Sequence, residues 1–435
     1  MDIRRFEAAD MVTEKGMVMQ ERRVVITGTG AVCCLGKSVE SIWSNLIAGK
    51  CGIGPITLFD ASRNKTRIGG EVPEFDPCLY FPAKEARHMD RYVQLAVAAA
   101  EEAMTLSGLK DQLAGGQVDP RRVGSTVSSG TGGLSAASEA CEVIAASGPG
   151  RLSPFLIPRM IGNMASGYLS IRYGFSGPVF GVVSACTTGC HSIGEAYHII
   201  KRDDADIMLA GGAEASVQEL SIGGFNALRA LSTRNDDPQH ASRPFDRDRD
   251  GFVASEGAGI LILEELEHAK RRGAEILGEI IGYGATCDGY HITSPDPEGK
   301  AVADAFKVAM NHAGITPDEI GYINAHGTST ILNDKYETIA LKRALGESVR
   351  QVSISSTKGA IGHALGAAGA LESIFCMQTV RTGIIPPTIN YQTPDPDCDL
   401  DYTPNEARSR NVRIAANDNL GFGGHNGVVL FKKFE

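Results

Sequence analysis

One cysteine, two histidines and a lysine in this chain stand where they could share a covalent reaction. Cys186 lies in Val182-Val-Ser-Ala-Cys186-Thr-Thr-Gly189, where a β-prone run stops and small residues open a helix. A thiol at that junction sits near unpaired backbone N–H groups and the positive end of the helix dipole, which favour the thiolate. The same N–H groups could hold an oxyanion. His326 closes an apolar run in Asn324-Ala-His326-Gly-Thr-Ser-Thr330, and open α/β sheets place ligand-handling groups at strand C-termini. His363 stands in Ser356-Thr-Lys358-Gly-Ala-Ile-Gly362-His363-Ala-Leu-Gly, where small residues let backbone come close. Lys358 is costly to bury unpaired, so a carboxylate partner is expected, with Glu372 and Glu337 both available. Asn419-Leu-Gly421-Phe422-Gly423-Gly424-His425-Asn426 sets three glycines around one aromatic, a loop able to place Phe422 against a ligand. Taken singly, each has a plainer reading: a small residue at a turn, a satisfied core histidine, a surface lysine, a Gly-rich hairpin. The scattered Gly-x-Gly pieces lack dinucleotide or P-loop spacing.

The elements that must position these groups alternate. Strands are predicted at Arg22–Val32, Arg122–Ser129, Pro178–Ala185, Ala205–Ala210 and Ile260–Leu263, with helices at Met89–Ser107, Gly189–Lys201 and Glu264–Arg272. The pattern then restarts. Strands are predicted at Ile276–Tyr283, Ile320–Ala325, Val352–Ser355, Val412–Asn417 and Gly427–Lys432, and helices at Lys300–His312, Lys335–Leu345 and Gly366–Arg381. This is an α/β alternation with substantially parallel sheets. Val123-Gly124 to Gly130-Thr131 also echoes Ile320-Gly321 to Gly327-Thr328, which suggests two similar halves meeting near residues 264–275. The expected organisation is an N-terminal extension over 1–21, one half over 22–270 carrying Cys186 and one over 271–435 carrying the histidines.

Composition narrows the function. The 435 residues carry a net charge of −10, which disfavours a general nucleic-acid binder. Glycine is high, 51 residues, but without a Gly-X-Y period, so the excess marks turns and close backbone approaches. No apolar run is long enough for a membrane span. Met1–Arg22 is acidic, lacks the apolar core of a signal peptide and offers Met17 and Met19 as alternative starts, so a cytoplasmic location is expected. None of the ten cysteines forms Cys-x-x-Cys or zinc-finger spacing, so one catalyst and nine bystanders are expected, and no metal.

Nine segments then arrive in one order: RRVVITGTGAV, SACTTGCHSIGEA, DADIMLAGGAEAS, RALSTRND, ASRPFDRDRDGFVASEGAGILILEE, NAHGTSTILNDKYET, SSTKGAIGHALGAAGALES, PPTINYQTPDPDCDLDYTPNEAR and GFGGHNG. Together they resemble the β-ketoacyl-acyl-carrier-protein synthases, the condensing enzymes of fatty acid synthesis, with NDKYET and PDPDCDLD closest to the synthase II branch. The resemblance implies a thiolase-type fold of two similar halves in five αβαβα layers with mixed sheets, as a homodimer. It implies decarboxylative condensation of malonyl-carrier protein with an acyl chain held on Cys186. His326 and His363 would assist decarboxylation, Phe422 would gate the pocket, and the Cys186 and Phe422 N–H groups would form the oxyanion hole. Lys358 would be held by Glu372, with Asp334 and Glu337 as further support. Thr328 and Thr330 resemble pantetheine contacts; Thr131, Leu156 and Phe225 resemble the acyl pocket. Arg87, His88, Arg91, Arg151 and Arg229 resemble the surface that docks the acidic acyl carrier protein, a local basic patch against an acidic field.

No redox cofactor is implied. Phosphopantetheine arrives on the carrier, and the family reading admits a structural monovalent cation. Asn419-Leu420 departs from the usual Ser-Phe, and His425 stands where Thr is common. Thr131 is shorter and more polar than the usual Ile, so an altered chain-length range is expected. Competing readings are a cysteine hydrolase, an inactive chain-length-factor partner and a ketosynthase of a specialised or polyketide pathway.

Overall fold

β1 (Val24–Cys33) is buried along its whole length, as befits a strand covered on both faces. The Ala-rich helix α1 (Arg91–Leu106) lies so close that a Cβ on Gly30 would fall 1.9 Å from the Ala99 carbonyl oxygen. Glycine on the strand and alanine on the helix together set the spacing of two layers. Asp90 caps α1 by accepting from the Tyr92 N–H. The computed structural model describes residues 21–435, so the N-terminal extension expected over 1–21 lies outside the described residues but for its last.

Further elements follow in chain order: β2 (Val123–Ser125), α2 (Met164–Tyr173), α3 (Thr188–Lys201), β3 (Ile207–Glu214), β4 (Gly257–Glu265), β5 (Gly278–Cys287), α4 (Lys300–Ala313), β6 (Tyr322–Asn324), α5 (Ile331–Leu345), β7 (Ser353–Ser355), α6 (Ala368–Thr382), β8 (Ile414–Gly421) and β9 (His425–Lys432). The strands hydrogen-bond in the order β2-β3-β4-β1-β5-β9-β8-β6-β7. The join between β1 and β5 is short, Val24–Ile26 against Gly278–Ile280. On one side of it β2 runs parallel to β3, then β3–β4 and β4–β1 are antiparallel. On the other, β6 runs parallel to β8, then β8–β9 and β9–β5 are antiparallel. One connectivity is thus built twice.

Helices α3 and α6 lie between the two half-sheets and touch strands of both; α1 and α2 cover one outer face, α4 and α5 the other. The result is the α/β arrangement in five αβαβα layers that the resemblance implies. Each interlayer space has its own apolar core. Ile193, Ile374 and Phe375 fill the middle, Leu95, Val97 and Ile260 one flank, and Phe306, Leu341 and Leu430 the other.

Three predicted elements differ. The strand expected over Arg122–Ser129 ends at Ser125, and beyond it Ser128 keeps only an isolated bridge to Gly212. Pro178–Ala185 is not a strand: it keeps a single bridge, Ser125 with Val179. Pro178 has no N–H to donate, and the run has a strand neighbour on one side only, which leaves Phe180 and Val183 exposed. The helix expected over Glu264–Arg272 begins later, at Leu266, because Glu264 and Glu265 complete β4 and the Glu265 carboxylate caps the helix. No helix among the described residues is long and apolar enough to cross a membrane.

Candidate active site

The nucleophile candidate sits on a strained turn. Ala185 adopts φ +52°, a region that costs a non-glycine residue about 1–2 kcal/mol. Cys186 follows in a 3-10 turn, Ala185–Thr187, that leads into α3. The turn is stitched to the far half of the chain. Thr187 Oγ1 donates to the His425 carbonyl at 3.0 Å, and a Cβ on Gly421 would fall 2.8 Å from the Ser184 carbonyl oxygen. Burial pushes the Cys186 thiol up to about 12, against the opposing pull of the Lys358 charge and the Phe422 backbone N–H. The thiolate expected from the helix end is therefore not the resting form: desolvation outweighs the favourable groups.

His326 follows β6 and His363 follows the neighbouring strand β7, and the two rings meet edge to face, centroids 5.2 Å apart at 86°. Glu337 on α5 accepts the backbone N–H groups of His326 at 2.6 Å and Gly327 at 2.8 Å. Asp334, one turn earlier, accepts those of Phe245 at 2.7 Å and Ser329 at 3.2 Å. These carboxylates hold the loop rather than the rings. His363 is pinned by its backbone, its N–H donating to Val253 O at 2.7 Å and its carbonyl accepting from Ser255 N at 3.0 Å. Phe252 packs edge-on against its ring, 5.3 Å away. Burial first and the Lys358 charge second hold both imidazoles well below the usual histidine range, so both are neutral. Of the two carboxylates available to Lys358, Glu372 is the partner. Asn419 donates to the other oxygen of Glu372 at 2.6 Å.

Cys186, both histidines and Phe422 line one cavity of about 430 Å³. The β8–β9 connection Phe422-Gly423-Gly424 needs φ of +90° and +77° at its glycines, which side chains resist. Gly423 N–H donates to Ile292 O at 2.8 Å and Asp288 N–H to Gly424 O at 2.9 Å. The two unusual residues before the loop are accommodated: Asn419 joins the Glu372 network and Leu420 packs into an outer core. His425 lays its ring against Gly423.

The cavity also gathers Thr328 and Thr330, whose hydroxyls share a 2.9 Å hydrogen bond, together with Phe225 and Thr131. Arg229 stands exposed at its rim. Leu156 is a correction: it does not line the cavity, but opens the short helix Leu156–Met160 between the exposed Phe155 and Ile157. Arg91 is a second. Its guanidinium makes a bidentate pair, both bonds 2.6 Å, with the fully buried Glu256, so it is a structural cation and not a free docking charge. Arg87 and Arg151 are exposed, and His88 stacks on Phe155, centroids 3.9 Å apart.

Sequence reasoning missed Glu214, Phe252 and Asp288. Glu214 had a signal, a lone carboxylate in the small-residue run Ala210-Gly-Gly-Ala-Glu214-Ala-Ser216; Phe252 and Asp288 had none, because their partners are distant in sequence.

Residues 21–269 match the family described as Beta-ketoacyl synthase, N-terminal domain, and residues 277–392 match its C-terminal domain. The chain is 46% identical over 417 residues to the 3-oxoacyl-[acyl-carrier-protein] synthase 2 of Synechocystis, covering 96% of this chain and 99% of that one. It is 48% identical over 415 residues to the protein of that name from Coxiella burnetii, covering 95% and 99%. Among solved structures it resembles a Beta-ketoacyl synthase from Burkholderia phymatum, with TM-score 0.88, 34% identity and coverage of 95% and 100%. It also resembles a chain of a type II polyketide acyl-carrier protein in complex with its ketosynthase, with TM-score 0.86, 37% identity and coverage of 95% and 100%.

Proposed function

The chain belongs to the β-ketoacyl synthase family and is a condensing acyltransferase, a 3-oxoacyl-[acyl-carrier-protein] synthase of fatty acid biosynthesis; from that premise we propose how its residues divide the work. The observation that carries the division is one cavity lined by a cysteine, two neutral histidines and the gate loop, with a buried Lys358–Glu372 pair in the same interior.

In the first stage Cys186 attacks the carbonyl of an acyl thioester. Its thiol is protonated at rest, so a neutral imidazole takes the proton and passes it to the departing carrier thiol. In the second stage malonyl-carrier protein enters, with its thioester along Thr328 and Thr330. The bond to its carboxylate breaks, CO₂ leaves and the electron pair becomes an enolate. Imidazole N–H donation from His326 and His363 stabilises that charge without a fixed positive charge at the reacting atoms. The enolate carbon attacks the acyl-Cys186 carbonyl, and the oxyanion is held by the backbone N–H groups of Cys186 and Phe422. Collapse frees the Cys186 sulfur, which takes up one proton, and leaves a β-ketoacyl product two carbons longer. The test is product analysis with defined acyl- and malonyl-carrier substrates. Elongation by Cys186→Ala would overturn the nucleophile assignment.

The reading extends to a cytoplasmic homodimer that docks acyl carrier protein through Arg87, Arg151 and Arg229. The dimer is supported by Phe155, Ile157, Ile161, Phe180 and Val183, exposed apolar residues on one stretch of chain, which a monomer rarely leaves uncovered. For the structural cation, the unpartnered buried Oδ1 atoms of Asn324 and Asn417, paired across β6 and β8, fit a hard monovalent ion. Such an ion would supply charge balance to the buried carboxylates.

A further inference from the structure

Glu214 ends β3 fully buried, and among the described residues it forms no ion pair. Such a carboxylate persists only if donors surround it. Four do. Ser129 Oγ at 2.6 Å and Thr131 Oγ1 at 2.7 Å donate to one oxygen. Gly130 N–H at 3.0 Å and Gly366 N–H at 2.9 Å donate to the other. Burial raises the carboxyl from its ordinary range, and these same donors oppose the rise.

The donors come from two loops that meet beside the nucleophile. A Cβ on Gly130 would fall 2.8 Å from the Ala185 carbonyl oxygen and 3.3 Å from the Gly366 Cα. Gly366 directly follows Leu365, which lines the cavity, as Thr131 and Gly130 do. The Thr131 hydroxyl is thus committed to Glu214, and the wall it belongs to cannot swing without stranding a buried carboxylate.

We propose that Glu214 is a positioning residue that determines which acyl chains this enzyme accepts, by locking Thr131 and the Gly130–Gly366 contact into a rigid wall beside Cys186. This rests on the condensing-enzyme reading above. A rigid wall gives a sharp upper limit to chain length; a loosened one blurs it.

The test is intact-protein mass spectrometry of acyl-Cys186 formation from carrier thioesters of graded length. The readout is the rate ratio between the longest chain accepted and the chain two carbons longer. Thr131→Val keeps the shape and removes the hydroxyl; Thr131→Ser keeps the hydroxyl; Glu214→Gln keeps the volume. Thr131→Val and Glu214→Gln are expected to lower the ratio about fivefold, the worth of one buried hydrogen bond. The double variant should lower it no further, and Thr131→Ser should keep the wild-type limit. An unchanged limit in Thr131→Val overturns the proposal. So does a Glu214→Gln variant that slows every chain length equally, which is what a merely structural tie predicts. If the wild-type protein forms no acyl-Cys186 with any length, the condensing-enzyme reading itself fails.

Discussion

Lys358 and Glu372 are ion-paired with their side chains 1% and 0% exposed, and Asn419 completes Glu372 from β8. The pair sets a buried side-chain amine, matched by a carboxylate, in the same interior as two neutral imidazoles. Breaking a buried pair strands one charge and costs about 3–5 kcal/mol, whereas replacing both partners with apolar residues is often neutral. Lys358→Met and Glu372→Leu should each lower the unfolding free energy by that amount, and the double variant should recover most of it. Condensation should be lost in all three. Denaturant unfolding measures the first, and equal destabilisation of single and double variants would contradict the pairing.

The Cys186 thiol, raised to about 12 by burial, stays protonated through neutral pH. Its alkylation by iodoacetamide should rise about tenfold per pH unit from pH 7 to pH 10. The raised value means less thiolate at every pH below it, so no plateau appears in that range. Site-resolved mass spectrometry gives the rate; a plateau below pH 9 would show a depressed thiol instead.

Thr131→Ile adds bulk to the cavity wall and removes a donor from Glu214. The product distribution should shift to shorter chains, read by mass spectrometry of the acyl products. An identical profile would remove Thr131 from the pocket wall.

Two arginines that look alike in the sequence should behave differently. Arg229→Glu, at the exposed rim, should raise the KM for carrier-bound substrates several-fold, more at low salt than at high, with the melting temperature unchanged. Arg91→Glu places a second carboxylate against the buried Glu256, and should instead lower the melting temperature by several degrees. Carrier-dependent kinetics and thermal melting separate the two.

An exposed apolar face predicts an oligomeric state. Ile157→Glu with Phe180→Glu should convert a dimer to a monomer in sedimentation velocity. A wild-type protein that sediments as a monomer would refute the homodimer.

Much was legible in sequence because it is local. The strand and helix alternation, the turn glycines and the small residues around Cys186 and His363 report on neighbours a few positions away. The failures are cases where a distant partner decides. Pro178–Ala185 has strand composition but only one flank to pair with. Arg91 reads as a surface charge until Glu256, 165 residues on, is folded against it. Leu156 reads as pocket wall yet stands outside the cavity lining of this chain, at the start of the short helix Leu156–Met160.

The sequence by itself determined which groups are present, in what order, and that two similar α/β halves carry them. Only the tertiary structure decided their states. The ring contact of His326 with His363 and the choice of Glu372 for Lys358 are made within the second half, between residues far apart in sequence, whereas the backbone bonds of His363 to Val253 and Ser255 arise where the two halves close. So do the approach of Phe422 to Cys186 and the four donors on Glu214. The protonation of Cys186 reversed for the same reason. A helix end is a local feature that favours thiolate, but desolvation depends on every element packed around the site, and here it is the larger effect.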